Sequence, residues 1–178
     1  MHIGIDIDDT ISETTKLANA ILHSEKKYEG ILDYHDLNYD EFNEFCETHR
    51  AELQKYMVLK DGVKETIDYL KKRGCKITII TARGADGLEV LIPFTYEFLK
   101  ANNIHYDNII FAQKDKSKAC KDNEVEVFID DKEKVLDGIK KVLPNTKTLR
   151  FSPVECKSNH HIVRSWFEIK DYIDNLLD

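Results

Sequence analysis

The stretch Ile3-Gly4-Ile5-Asp6-Ile7-Asp8-Asp9-Thr10 ends an apolar run in three carboxylates. Alternate side chains of a strand share a face, so Ile3, Ile5 and Ile7 point one way and Gly4, Asp6 and Asp8 the other. Carboxylates on a buried face need compensation, because an ionised group taken from water without a partner is strongly disfavoured. A bound cation is the simplest compensation. A plainer reading makes Asp8, Asp9 and Thr10 caps of a helix whose first turn holds Glu13; it accounts for Asp9 or Thr10 and leaves Asp6 without a reason.

Three more polar groups follow apolar runs: Thr81-Ala82-Arg83, Lys114-Asp115-Lys116-Ser117-Lys118 and Asp130-Asp131. Singly, each has an ordinary explanation as a strand end, a solvated face or a helix cap. Open parallel sheets bind ligands beyond the carboxyl ends of their strands, and there the four sets would form one site. Asp6, Asp8, Asp130 and Asp131 brought together would repel, and a divalent cation is the usual remedy. Oxygen-only ligands select Mg²⁺, which commonly bridges carboxylates to a substrate phosphate. Hydroxyl, guanidinium, lysine and helix amino ends bind phosphate. A carboxylate nucleophile beside a second carboxyl that gives and takes protons fits phosphoryl transfer through an aspartyl-phosphate.

The elements that must position these residues alternate regularly from residue 61 onward. Asp61-Gly62 opens a helix with Val63, Ile67 and Leu70 on its apolar stripe, closed by Lys71-Lys72-Arg73-Gly74. Strands are expected over 75–81, 108–112, 125–129 and, as the last one, 146–151; helices over 86–102 with a kink or restart at Pro93, 114–122, 132–142 and 165–177. With the opening strand this is an α/β fold, a Rossmann-like parallel sheet flanked by helices. Residues 11–60 fall outside the rhythm. Leu17, Ala20, Ile21 and Ser24 keep helical spacing, aromatic residues follow, and two or three helices with a break at Gly30 and 33–38 are expected.

At 178 residues, with 42% hydrophobic and 33% charged residues, the chain builds one sizeable core with a small appended element. A net charge of −7 argues against polymeric nucleic acid or an acidic membrane surface as partner, leaving a small phosphorylated metabolite held by local charge. Asp6 and Asp8 interrupt the only early apolar run, so the opening residues do not read as a secretory signal, and no run is long enough for a membrane span. Cys46, Cys75, Cys120 and Cys156 are widely spaced without a CxxC pair, the pattern of reduced thiols in a cytoplasmic protein. Cys46-x-x-His49 with Cys156-x-x-x-His160 supplies four zinc-type ligands, but the halves lie far apart and lack turn glycines. Oligomeric state is not assigned.

Taken in order, these motifs resemble those of the haloacid dehalogenase superfamily of phosphatases. Asp6-Ile7-Asp8-Asp9-Thr10 matches the first motif DxDx[TV], Thr81 ends the second, a lysine of 114–118 is the third, and Asp130-Asp131 is the acidic fourth. The resemblance implies Asp6 as nucleophile and Asp8 as acid and base. It implies Mg²⁺ held by Asp6, the main-chain carbonyl of Asp8 and Asp131, with Asp130 in support, and phosphate bound by Thr81, Ala82, Arg83 and a lysine. Lys116 is preferred because Asp115 as N-cap would set it in the first helical turn; Lys118 is the reserve and Lys114 the outsider. It also implies a core of residues 1–10 and 61–178, with 11–60 as a helical cap inserted after the first strand. The presence of Asp8 argues against a dehalogenase, which needs no leaving-group acid. Thr81-Ala82-Arg83, Phe128-Ile129-Asp130-Asp131 and Arg164-Ser165-Trp166-Phe167-Glu168-Ile169 resemble the deoxyribonucleotidase-like branch and its bacterial nucleotidases, so a nucleoside monophosphate is the expected substrate. Sugar or polyol phosphates are the alternative. Receiver signalling domains share an acidic pair, a phosphorylatable Asp, a Thr and a Lys, but their acidic pair comes at the first strand and no 50-residue insert follows.

Overall fold

The computed structural model describes all 178 residues. Six parallel strands form the sheet: β1 (His2–Ile5), β2 (Lys76–Ile80), β3 (Asn108–Ile110), β4 (Val127–Asp130), β5 (Lys147–Phe151) and β6 (His161–Val163). The core helices are α4 (Val63–Lys72), α5 (Leu91–Ala101), α6 (Ser117–Asp122), α7 (Glu133–Val142) and α8 (Trp166–Leu177); α1 (Thr14–Ser24), α2 (Tyr39–Thr48) and α3 (Arg50–Tyr56) lie in the insert. The strand order β3-β2-β1-β4-β5-β6 reverses direction between β1 and β4, the switch point at which doubly wound sheets open a crevice. A receiver domain has the order 2-1-3-4-5 instead, so the topology excludes that alternative.

Both sheet faces are covered, which is why the strands read as near-continuous apolar runs. Ile3, Ile5, Ile77, Ile79, Val127, Ile129 and Leu149 pack with residues of α4, α5 and α8. The opposite face packs Ile80 and Phe128 on Ala119, Cys120, Leu136 and Ile139 of α6 and α7. Gly4 lies on this second face. A Cβ there would stand 2.5 Å from Phe128 Cδ2, so glycine is what lets the aromatic ring cross β1. Trp166, fully buried, donates from Nε1 to the Thr10 carbonyl at 2.9 Å and ties α8 to the end of the first motif.

The insert has its own apolar cluster, with Ala18, Ile21, Leu22, Tyr28, Tyr34, Phe45 and Leu53 buried together. Its entry and exit are paired: Glu13 N donates to Val58 O at 3.0 Å and Lys60 N to Ile11 O at 2.9 Å. It contains three α-helices, two single 3₁₀ turns and no strand. No helix of the chain is long and apolar enough to cross a membrane.

Several boundaries differ from the sequence reading. The first strand stops at Ile5, although Asp6 N still bonds Ile129 O at 3.0 Å, so Asp6 sits just past the ladder. Residues 161–163 add a sixth strand beyond the one expected to be last; three residues are too few for a periodic signal. The fifth helix begins at Leu91 rather than 86, because Asp86, Gly84 and Gly87 all take positive φ. Pro93 falls in its first turn, where its missing N–H disrupts nothing.

Candidate active site

Every strand end at the switch point delivers one component. Asp6 follows β1, Asp130 closes β4, Asp131 follows it, and oxygens of all three carboxyls lie within 4.8 Å of one another. Lys116 stands between them, with Nζ 2.6 Å from Asp6 Oδ1 and 2.6 Å from Asp130 Oδ2. The lysine arrives there by a route the sequence reading had partly wrong. Helix α6 starts at Ser117, so Lys116 is itself the N-cap residue, and the Asp115 carboxylate accepts from the Ser117 N–H at 2.9 Å one residue further on.

Asp130 has both oxygens engaged, the second accepting from Lys132 N at 2.8 Å. Asp131 differs: its buried Oδ1 has no hydrogen-bond partner. Buried polar atoms are rarely left unpaired, and an acceptor-only oxygen beside two more carboxylates is what a hard cation takes up. Asp131 therefore suits direct ligation, Asp130 a supporting role, and the all-oxygen donor set fits Mg²⁺. The alternative zinc set does not come together: the three aspartates are the one His/Cys/Asp/Glu group close enough to hold a metal.

Burial, with the neighbouring Asp130 and Asp8 charges, pushes the Asp6 carboxyl up to about 7 against the opposing pull of Lys116. Burial, then Asp6 and Asp130, push Asp131 up to about 8. Carboxyls raised in the folded state favour the protonated fold, so the stability they contribute is lost as pH rises from the unfolded value near 4 through 7 and 8. In EDTA the melting temperature is expected to fall between pH 5 and pH 8, and saturating Mg²⁺ to flatten that slope. A slope of the same size with and without the cation would remove the cluster from the account.

Asp8 lies apart from this cluster. Arg83 grips it with a two-point fork, Nη2 to Oδ1 at 2.7 Å and Nε to Oδ2 at 3.1 Å, while Thr14 Oγ1 donates to Oδ1 at 2.7 Å. Burial alone would push this carboxyl up, but the charge and hydrogen bonds of Arg83, with Thr14, outweigh it and hold Asp8 at about 2. In this arrangement Asp8 is a carboxylate, with Arg83 and Thr14 fixing its orientation. Arg83 was expected to bind phosphate; its guanidinium is instead committed to Asp8, to Thr95 Oγ1 (3.1 Å) and to Met57 Sδ (3.3 Å). Thr81 is fully buried at the end of β2 and its Oγ1 accepts from Arg83 N at 3.2 Å, while Ala82 is exposed. Lys118, the reserve, points into solvent and pairs with Asp122, and Lys114 pairs with exposed Asp86. Asp9, with φ 57°, is a turn residue whose Oδ1 accepts from Thr15 N at 2.9 Å, capping α1 from outside.

Beyond Asp8 a pocket of about 100 Å³ opens between insert and core, floored by Asp8, Thr14 and Arg83 and walled chiefly by Tyr34, Phe42, Phe45, Leu53, Met57 and Phe94. Thr14, Met57, Thr95 and Phe94 were not singled out from the sequence. Nothing in their spacing marks them; they meet only because the insert folds back over the ends of β1 and β2.

Comparison with known proteins accords with this geometry. No protein-family model matches the chain. It is 26% identical over 193 residues to Putative nucleotidase YqfW of Bacillus subtilis, covering 98% of this chain and 94% of YqfW. Among solved structures it superposes on a predicted phosphatase from Clostridium acetobutylicum with a TM-score of 0.72 at 14% identity, covering 98% of each chain. A HAD-superfamily hydrolase from Ehrlichia chaffeensis gives a TM-score of 0.63 at 14% identity over 99% of this chain and 97% of that one. Those structures share the fold, and the four motifs, in order and gathered at the switch point of the sheet, accord with the resemblance of the sequence to the haloacid dehalogenase superfamily.

Proposed function

We propose that the chain is a Mg²⁺-dependent phosphomonoesterase working through an aspartyl-phosphate on Asp6, with a nucleoside monophosphate as substrate. The observation that carries this reading is the Lys116 ammonium clasped between Asp6 and Asp130 beside the unpartnered Asp131 oxygen. A phosphoryl group arriving there meets a carboxylate nucleophile, a buried cation and the Thr81 hydroxyl. Asp6, the Asp8 carbonyl and Asp131 would hold Mg²⁺, which supplies positive charge to the transferring phosphoryl oxygens. Lys116 supplies more of the same charge, and Thr81 Oγ1 with the Ala82 N–H would donate to those oxygens. Asp6 Oδ attacks phosphorus, and Asp8, which borders both site and pocket, exchanges protons with the leaving oxygen and the hydrolytic water. Residues 11–60 act as the cap, excluding water from the reacting centre.

The pocket beyond Asp8 favours the nucleotide over the sugar or polyol phosphate. Nine of its 13 lining residues are hydrophobic. A polyol there would bury hydroxyls without partners at about 1–3 kcal/mol each, whereas a flat base presents apolar faces to Tyr34, Phe42 and Phe94. The YqfW likeness supports the same direction. All four cysteines are unpaired, which suits a reducing cytoplasm, and the net charge of −7 suits a small substrate rather than polymeric nucleic acid. A panel of nucleotides, sugar phosphates and p-nitrophenyl phosphate, assayed with Mg²⁺ and with EDTA, tests the proposal. Nucleoside monophosphates should be the best substrates and EDTA should stop turnover; hydrolysis indifferent to EDTA, or none on any phosphomonoester, overturns it.

A further inference from the structure

Arg83 is the largest polar commitment in the site that the reaction above leaves unused. Its side chain is 4% exposed, and Asp8 is its one ion pair. A buried guanidinium that left this carboxylate would be an unpaired charge in an apolar wall, with the Phe94 ring 5.4 Å away. Its other contacts hold it from two further directions, Thr95 on α5 and Met57 at the insert's exit. The fork fixes the plane of the carboxylate as well as its charge, which a lysine could not do. Thr14, at the insert's entry, adds a donor to the same oxygen as Nη2.

We propose that Arg83 is the positioning residue of the second half-reaction: it holds Asp8 as an oriented proton acceptor for the water that hydrolyses the phosphorylated Asp6. This rests on the aspartyl-phosphate reading. In the step, a water O–H bond breaks and its proton passes to Asp8. The water oxygen bonds to phosphorus, the bond from phosphorus to Asp6 Oδ breaks with its electron pair returning to Asp6, and phosphate departs. Arg83 touches none of the reacting atoms. A phosphate-binding role for Arg83 predicts something different, a weakened KM and equal damage to both half-reactions.

p-Nitrophenyl phosphate separates the two, because its leaving group departs with little proton assistance. In rapid-mixing experiments with Mg²⁺, Arg83→Ala is expected to release a first equivalent of p-nitrophenolate within about threefold of the wild-type rate, then turn over about 10²-fold more slowly, the scale of a misplaced catalytic group. Acid quenching in the slow phase should recover phosphorylated Asp6. Millimolar guanidinium should restore the slow phase without changing the first turnover. Arg83→Lys, which keeps the buried charge and loses the fork, should show the same two phases, and circular dichroism checks that each variant is folded. A rate loss with no first-turnover phase, a raised KM at unchanged kcat, or an unchanged steady rate overturns the assignment of Arg83 while leaving the phosphatase reading intact. If the wild-type protein hydrolyses no phosphomonoester, the phosphatase reading fails first and this inference with it.

Discussion

Asp6→Asn is expected to lower turnover by about 10⁴-fold or more while leaving the fold in place, as loss of a nucleophile does in other covalent catalysts. The amide nitrogen cannot form the acyl-phosphate, and the remaining carbonyl oxygen is a poor nucleophile. Structurally the change is mild. Asn has the same shape, Lys116 keeps Asp130 at 2.6 Å, and one of three crowded carboxylates loses its charge. The melting temperature without cation should therefore hold or rise even as activity disappears. Steady-state kinetics on the best substrate of the panel, with thermal denaturation alongside, makes the check. Turnover surviving at a hundredth of wild type or more would move the nucleophile elsewhere, and a collapse of the melting temperature would make the loss uninformative.

The same crowding explains which parts of the site were legible in the sequence. Asp6, Asp130 and Asp131 could be read directly, because a carboxylate at the end of an apolar strand is costly and its position on the sheet edge follows from the strand itself. Lys116 was preferred among three lysines by helix position; the helix begins one residue later than expected, and Lys116 is the lysine that reaches Asp6 and Asp130. One residue in a short turn shifts a side chain by less than the reach of a lysine. Arg83 went the other way. Its place after β2 was legible, but its partner was not, since a guanidinium beside Thr81 and Asp6 reads as a phosphate ligand until Asp8 is seen on the other side.

The fold followed a similar division. Helix α4 announced itself through its apolar stripe, its cationic last turn and Gly74 at positive φ. The three-residue strand β6 had no such signal, and residues 86–90 were expected to be helical although Asp86 and Gly87 take positive φ and the helix starts at Leu91. Composition pointed to helices in the insert without fixing their packing. Which residues face the pocket depends on how Thr14 reaches Asp8 and Met57 reaches Arg83 from opposite ends of the insert, more than 40 residues apart in sequence.

Lys116→Met should have the second largest effect, and on two properties at once. The methionine keeps most of the buried stem but removes the only ammonium between Asp6 and Asp130. Breaking a buried ion pair from one side costs about 3–5 kcal/mol, because the charges left behind stay buried. For a chain of this size about 3 kcal/mol corresponds to a fall of roughly 6–12 °C in melting temperature. Activity should fall about 10³-fold, as when a preorganised donor to developing charge is lost. The two effects should separate on adding Mg²⁺: the cation can neutralise the abandoned carboxylates and recover part of the stability, yet it cannot restore the ammonium to the transferring phosphoryl group. A variant whose activity returned with its stability would show Lys116 to be a strut for the carboxylates, with no part in holding phosphate.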